Sequence, residues 1–133
     1  MSSRPLVLIA DDDPDILVLL SLTLERDGYE VVVATNGLSA YETALERIPH
    51  LIVLDLMMPG IDGLEVTRRL RAEETTRDVP IVIVTAFAEE TRAAIALEAG
   101  ADLYLAKPFS PRDLLSKTAS LVLERRPRSR LAS

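Results

Sequence analysis

Residues 51–65, LIVLDLMMPGIDGLE, carry the signals that decide the fold. Leu51 to Leu54 is an apolar run without polar alternation, the pattern of a strand covered on both faces in a parallel sheet. Asp55 closes that run with a single carboxylate. Asp62, with Glu65 three residues on, then marks a helix start, because an N-cap side chain accepts from main-chain N–H groups that lack a partner inside the helix. Working outward, four more such runs recur: Leu6 to Ala10, Val31 to Ala34, Ile81 to Val84 and Leu103 to Ala106. The gaps supply further helix starts at Asp13-Pro14, Asn36-Gly37 and Ser110-Pro111 with Asp113. A fourth helix, roughly Glu89 to Ala99, stops at Gly100. Strand and helix alternating five times predict an α/β fold, a doubly wound five-stranded parallel sheet with right-handed crossovers.

Composition sets the bounds around that core. The chain has 133 residues, the size of one domain able to bury a core without staples. With 48% hydrophobic and 27% charged residues it has globular composition. Cys is absent, which excludes disulfides, thiolate metal sites and thiol catalysis and makes a cytoplasmic setting the expectation. The longest mostly apolar run, Ile16 to Leu24, is far short of a membrane span, so no membrane partner is expected. A net charge of −6 disfavours direct nucleic-acid binding by the domain and points to protein partners. Residues 1–124 read as the domain and residues 125–133, with Arg125, Arg126, Arg128 and Arg130, as a basic tail, a solvated helix end or truncated linker in preference to a nucleic-acid arm.

In open α/β sheets ligands bind beyond the carboxyl ends of the strands, so the residues following each apolar run are the candidate site. They are Asp11, Asp12 and Asp13 after the first run, Asp55 at the third, Thr85 after the fourth and Lys107 after the fifth, followed by Pro108. Carboxylates converging in one pocket repel unless a proton or cation sits among them. Oxygen ligands select a hard cation, and Mg2+ suits a site with one or two carboxylates that leaves room for water and phosphate, whereas Ca2+ wants more ligands. Asp13 doubles as a helix N-cap.

The segments LVLIADDDPD, IVLDLMMPGIDGLE, PIVIVTA and YLAKPF resemble the signature segments of response-regulator receiver domains, over roughly Pro5 to Glu124. The resemblance implies a flavodoxin-like sheet of order 2-1-3-4-5. It implies that Asp11 and Asp12 hold Mg2+, that the main-chain carbonyl of Met57 is a further ligand, and that Asp55 also touches the metal and accepts a phosphoryl group as an acyl phosphate. Thr85 and Lys107 would bind the phosphoryl oxygens, Lys107 as a point charge. The family usually has a cis peptide where Lys107-Pro108 stands, which would turn the lysine into the pocket. Thr85 and Tyr104 would form the switch: the threonine hydroxyl moves toward the phosphoryl group, the aromatic ring rotates inward, and the surface of helix 4, strand 5 and helix 5 repacks.

Implied partners are a sensor histidine kinase or phosphotransfer protein and, through helix 4, strand 5 and helix 5, a downstream protein or a second copy. Beyond its own phosphorylation and dephosphorylation, no enzyme activity is implied. Met57 and Phe87 are apolar where some members place side chains that orient a hydrolytic water, so slow self-dephosphorylation is expected. Asp102 is followed by Leu103 rather than a second Asp, a departure that weakens the expectation of the dimer face common among DNA-binding members; helix 5 offers Lys117 and Arg112 there. The first helix is apolar beyond one stripe, through Ile16, Leu17, Leu19, Leu20, Leu22 and Leu24, which reads either as burial or as a kinase-docking patch. His50 precedes the third strand, on the rim opposite the acidic residues, and receives no role. The rival readings are a binding-only pseudo-receiver, a haloacid-dehalogenase-type phosphatase using Asp11 and Asp13, and a flavin binder. The first would have lost a key residue, the second needs a downstream acidic motif, and the Asp cluster would repel a flavin phosphate.

Overall fold

Strands and helices alternate as β1 (Leu6–Ala10), α1 (Pro14–Arg26), β2 (Glu30–Ala34), α2 (Gly37–Arg47), β3 (Leu51–Asp55), α3 (Gly63–Ala72), β4 (Ile81–Thr85), α4 (Glu90–Ala99), β5 (Leu103–Ala106) and α5 (Pro111–Ala132). The structure, a computed structural model, describes residues 4–86, 90–107 and 110–132. Phe87, Glu89 and Pro108 lie outside the described residues, as do the side chains from residue 123 onward. All strand pairs are parallel and the order is β2-β1-β3-β4-β5, the doubly wound arrangement that the sequence implies.

The central strands β1, β3 and β4 are buried along their whole length, which is why their sequences run apolar rather than alternating. Successive residues serve opposite faces. Val7, Ile9, Val53, Val82 and Val84 pack with Leu17, Leu20 and Leu24 of α1 and Leu114 of α5. Leu8, Ile52, Leu54 and Ile83 pack with Ala40 and Ala44 of α2, Val66 and Leu70 of α3 and Ala96 of α4. Each large aliphatic side chain so buried contributes about 1.5–3 kcal/mol relative to exposure. A slip of one residue in any central strand would exchange the two faces, so the burial pattern also fixes the register.

Local signals begin the helices where the sequence places them. Asp13 caps α1 by accepting from Asp15 N at 2.9 Å, with Pro14 in the first turn. Asn36 caps α2 through Ser39 N at 2.8 Å and Asp62 caps α3 through Glu65 N at 2.9 Å. The backbone of α5 remains helical through the basic run to Ala132. Among the described residues no helix is long and apolar enough to cross a membrane. On α1 the apolar excess divides: Leu17, Leu20 and Leu24 are buried, whereas Val18, Leu19 and Leu22 are exposed, Val18 and Leu22 beside Val33 of the edge strand β2. Burial therefore accounts for only part of that helix.

Candidate functional site

Parallel register brings the polar residues after the strands to one rim. Ala10 pairs with Leu54 and Asp55 with Val84, so Asp11 and Asp55 follow side by side, with Thr85 one step beyond on β4. Three main-chain bonds prolong the ladder past the strands: Asp11 N to Ala34 O at 3.2 Å, Leu56 N to Val84 O at 3.1 Å and Lys107 N to Thr85 O at 2.7 Å. The site is thereby built on rigid strand ends.

Carboxylate oxygens of Asp11, Asp12 and Asp55 all lie within 4.8 Å of one another. Asp11 is 1% exposed and Asp55 7%, while Asp12 faces solvent. The Asp11 carboxylate is held at both oxygens. Its Oδ1 accepts from Asp13 N at 2.9 Å, and its Oδ2 accepts from Lys107 Nζ at 2.8 Å. Lys107 Nζ also stands 3.7 Å from Asp55 Oδ2. Asp13 does not join the cluster, because its carboxylate serves the α1 cap.

Burial and the neighbouring Asp11 carboxylate push Asp55 up from 3.8 to about 6, with Asp12 adding to the rise and Lys107 and the Met57 main-chain hydrogen bond opposing it. Burial alone would lower the Lys107 ammonium. Its hydrogen bond to Asp11 and the charges of Asp55, Asp11 and Asp13 outweigh that and raise it. Lys107 is thus a fixed cation, and among the described residues it is the cation paired within the cluster of three carboxylates, with Asp11 and Asp55. The oxygen-only donor set and its excess negative charge fit a hard divalent ion such as Mg2+.

The other expected residues fall around this cluster. Thr85 is 1% exposed at the end of β4. The Met57 side chain is exposed, in the loop between β3 and α3. Tyr104 pairs with Ile83 on β5 and is half-buried against the α2–α3–α4 face. Asp102, whose lack of a second Asp beside it weakens the expectation of a dimer face, pairs within the chain with Arg71 at 2.9 Å. Sequence reasoning passed over Arg71; the signal was an arginine in the last turn of α3 with an acidic residue ahead of β5, two features that meet only in three dimensions. His50 lies on the opposite rim, where its Nδ1 accepts from Leu6 N at 3.0 Å.

Against known proteins, a family model described as the response regulator receiver domain matches residues 7–119, and the chain belongs to that family. Among solved structures it is similar to a putative response regulator from Chloroflexus aurantiacus J-10-fl, at 34% identity and a TM-score of 0.87, covering 91% of this chain and 99% of that one. It is similar at 31% identity and a TM-score of 0.84 to the receiver domain of the sensor histidine kinase PA1611 from Pseudomonas aeruginosa PAO1, covering 90% of this chain and 98% of that one. That structure holds a magnesium ion coordinated in the active site cleft. The phosphate regulon transcriptional regulatory protein PhoB of Pseudomonas aeruginosa is 42% identical over 116 residues, which are 87% of this chain and 51% of that protein. The DNA-binding dual master transcriptional regulator RpaA of Synechocystis is 41% identical over 118 residues, 89% of this chain and 49% of that protein. The chain spans about half the length of the curated relatives it matches.

Proposed function

We propose that the chain is a Mg2+-dependent phospho-accepting receiver, in which Asp55 takes a phosphoryl group from a sensor histidine kinase or phosphotransfer protein. The observation that carries this reading is the convergence of Asp11, Asp12 and Asp55 within 4.8 Å, with Lys107 Nζ bonded to Asp11 and 3.7 Å from Asp55. Asp11, Asp12, Asp55 and the Met57 carbonyl would hold the metal, and the magnesium in the PA1611 cleft supports that choice of ion. Mg2+ supplies positive charge for the phosphoryl oxygens when bound. A carboxylate oxygen of Asp55 attacks phosphorus, the bond from phosphorus to the donor imidazole nitrogen breaks, and the imidazole leaves. Lys107 and Thr85 carry the transferred oxygens by charge and by hydroxyl. Catalysis is electrostatic, and the chain has no enzyme activity beyond making and slowly losing its own acyl phosphate.

The new acceptor draws the Thr85 hydroxyl inward and Tyr104 follows, which repacks the α4–β5–α5 surface. The site and the likeness to transcriptional regulators support an output through a downstream protein or a second copy on that surface, in the cytoplasm, without nucleic-acid contact by this domain. Residues 1–124 are the receiver and residues 125–133 a basic continuation. The exposed apolar side chains of α1 suit docking of the phosphoryl donor.

Intact mass after incubation with a small acyl-phosphate donor and Mg2+ tests the reading. One phosphoryl adduct on the wild type, absent from Asp55→Asn and absent with chelator, is expected. No adduct on the wild type would replace this reading with a binding-only module.

A further inference from the structure

Gly37 opens α2 and plays no part in the acidic cluster, yet the fold requires a glycine there. Its conformation is ordinary helix, so backbone freedom does not explain it. Glycine in a helix costs about 0.5–1 kcal/mol relative to alanine. Space does explain it. A β-carbon on Gly37 would run into the main-chain carbonyl oxygen of Ile61 and lie 2.7 Å from its Cγ1 and 2.9 Å from its carbonyl carbon. Two of these three atoms are backbone, so no rotamer of Ile61 relieves the contact.

Ile61 belongs to the loop between β3 and α3 that starts at Asp55. The base of that loop is equally tight. A β-carbon on Gly63 would come 2.6 Å from the Asp55 carbonyl oxygen and 3.1 Å from Leu56 Cα, and Gly63 N donates to Leu56 O at 2.8 Å. Behind Gly37, α2 is seated on the sheet by Ala40 and Ala44, both fully buried. The helix therefore has no room to retreat, and a side chain at position 37 must displace the loop. The loop then yields along the span that carries Met57 and strains the Gly63–Leu56 bond at its base.

We infer that Gly37 is a positioning residue for the metal site, a bare surface against which the β3–α3 loop comes to rest so that Asp55 and Met57 stand in register with Asp11 and Asp12. The inference rests on the reading of these residues as a Mg2+ site. Mg2+ demands near-ideal octahedral geometry, so a shift of a few tenths of an ångström in the loop matters.

The test is calorimetric titration of the intact chain with Mg2+, paired with hydrogen exchange at the Gly63 amide in metal-free buffer. Gly37→Ala should weaken Mg2+ binding about tenfold, as loss of a group that orients metal ligands does, and speed exchange at Gly63. Ala44→Gly, a cavity-forming change on the same helix away from the loop, should leave Mg2+ affinity within about twofold despite lower stability. Ile61→Ala removes Cγ1 and keeps the carbonyl, so alone it should change affinity less than about twofold, and added to Gly37→Ala it should not restore binding. Wild-type affinity in Gly37→Ala, an equal loss in Ala44→Gly, or a tenfold loss in Ile61→Ala would each overturn the inference. Failure of the wild type to take up Mg2+ would instead strike the metal reading, while exchange at Gly63 would still judge the contact between α2 and the loop.

Discussion

The two rims of the sheet use charged side chains in opposite ways. At the rim where the strands begin, Arg71 donates from Nε to Gly100 O at 2.9 Å, from Nη1 to Val79 O at 2.6 Å and Arg77 O at 3.0 Å, and from Nη2 to Asp102 Oδ2 at 2.9 Å. The same Asp102 oxygen accepts from Ile81 N at 2.8 Å. One guanidinium thus ties the end of α3, the loop before β4, the end of α4 and the start of β5. At the rim where the strands end, Asp11, Asp12 and Asp55 cluster, and among the described residues Lys107 is the cation that pairs with Asp11 and Asp55. Charge that is answered within the chain holds the fold, whereas unanswered charge lowers stability until a cation arrives.

Removing the clamp should break the first rim most severely. Arg71→Ala leaves Asp102 without its cation and several carbonyls without their donor, and should cost about 3 kcal/mol, a fall in Tm of roughly 10 °C in thermal unfolding. Mg2+ affinity should stay near wild type, because the clamp lies at the far rim. A large loss of affinity with little loss of stability would show that the rims are not separate.

The second rim should respond with the opposite sign. Because Asp55 is pushed up to about 6 from 3.8, the folded chain binds this proton more tightly than the unfolded chain. Stability therefore falls as pH rises from about 4 to about 6 and stays lowered above that range. Asp55→Asn removes the charge and should stabilise the metal-free protein by about 2 kcal/mol at pH 8, with no gain at pH 4. Urea unfolding at the two pH values reads this directly. Equal stability of variant and wild type at pH 8 would mean that neither burial nor the neighbouring carboxylates penalise the Asp55 charge.

This contrast was half legible in the sequence. The strand ends could be read because the runs before them are buried on both faces, and so Asp11, Asp12, Asp55, Thr85 and Lys107 stood out as polar residues at the edges of apolar segments. The caps Asp13, Asn36 and Asp62 were equally plain, since each acts on an N–H only two or three residues on. Arg71 stayed hidden because most of its acceptors are main-chain carbonyls, which every residue type carries. Gly37 read as half of a helix-start dipeptide, since its contact with Ile61 is long-range. On α1 the excess of apolar residues was visible, but the division between Leu20 inside and Leu22 outside depends on which flank β2 leaves open.

His50 offers the gentlest test of the division between rims, because a histidine invites a catalytic role that its position denies. It exchanges two bonds with Leu6 across the start of the sheet: Leu6 N donates to Nδ1 at 3.0 Å, and His50 N donates to Leu6 O at 2.8 Å. The ring nitrogen thus takes the place of a ladder carbonyl for the first residue of β1. His50→Ala should cost about 1 kcal/mol, the worth of one such bond at a part-buried site. His50→Asn should recover most of it, because the amide oxygen of asparagine falls near the position of Nδ1 and also accepts. Chemical denaturation resolves the difference, and the adduct mass after acyl-phosphate treatment should be the same in all three proteins. Loss of the adduct in His50→Asn with stability intact would put chemistry on the rim that the hydrogen bonds assign to anchoring.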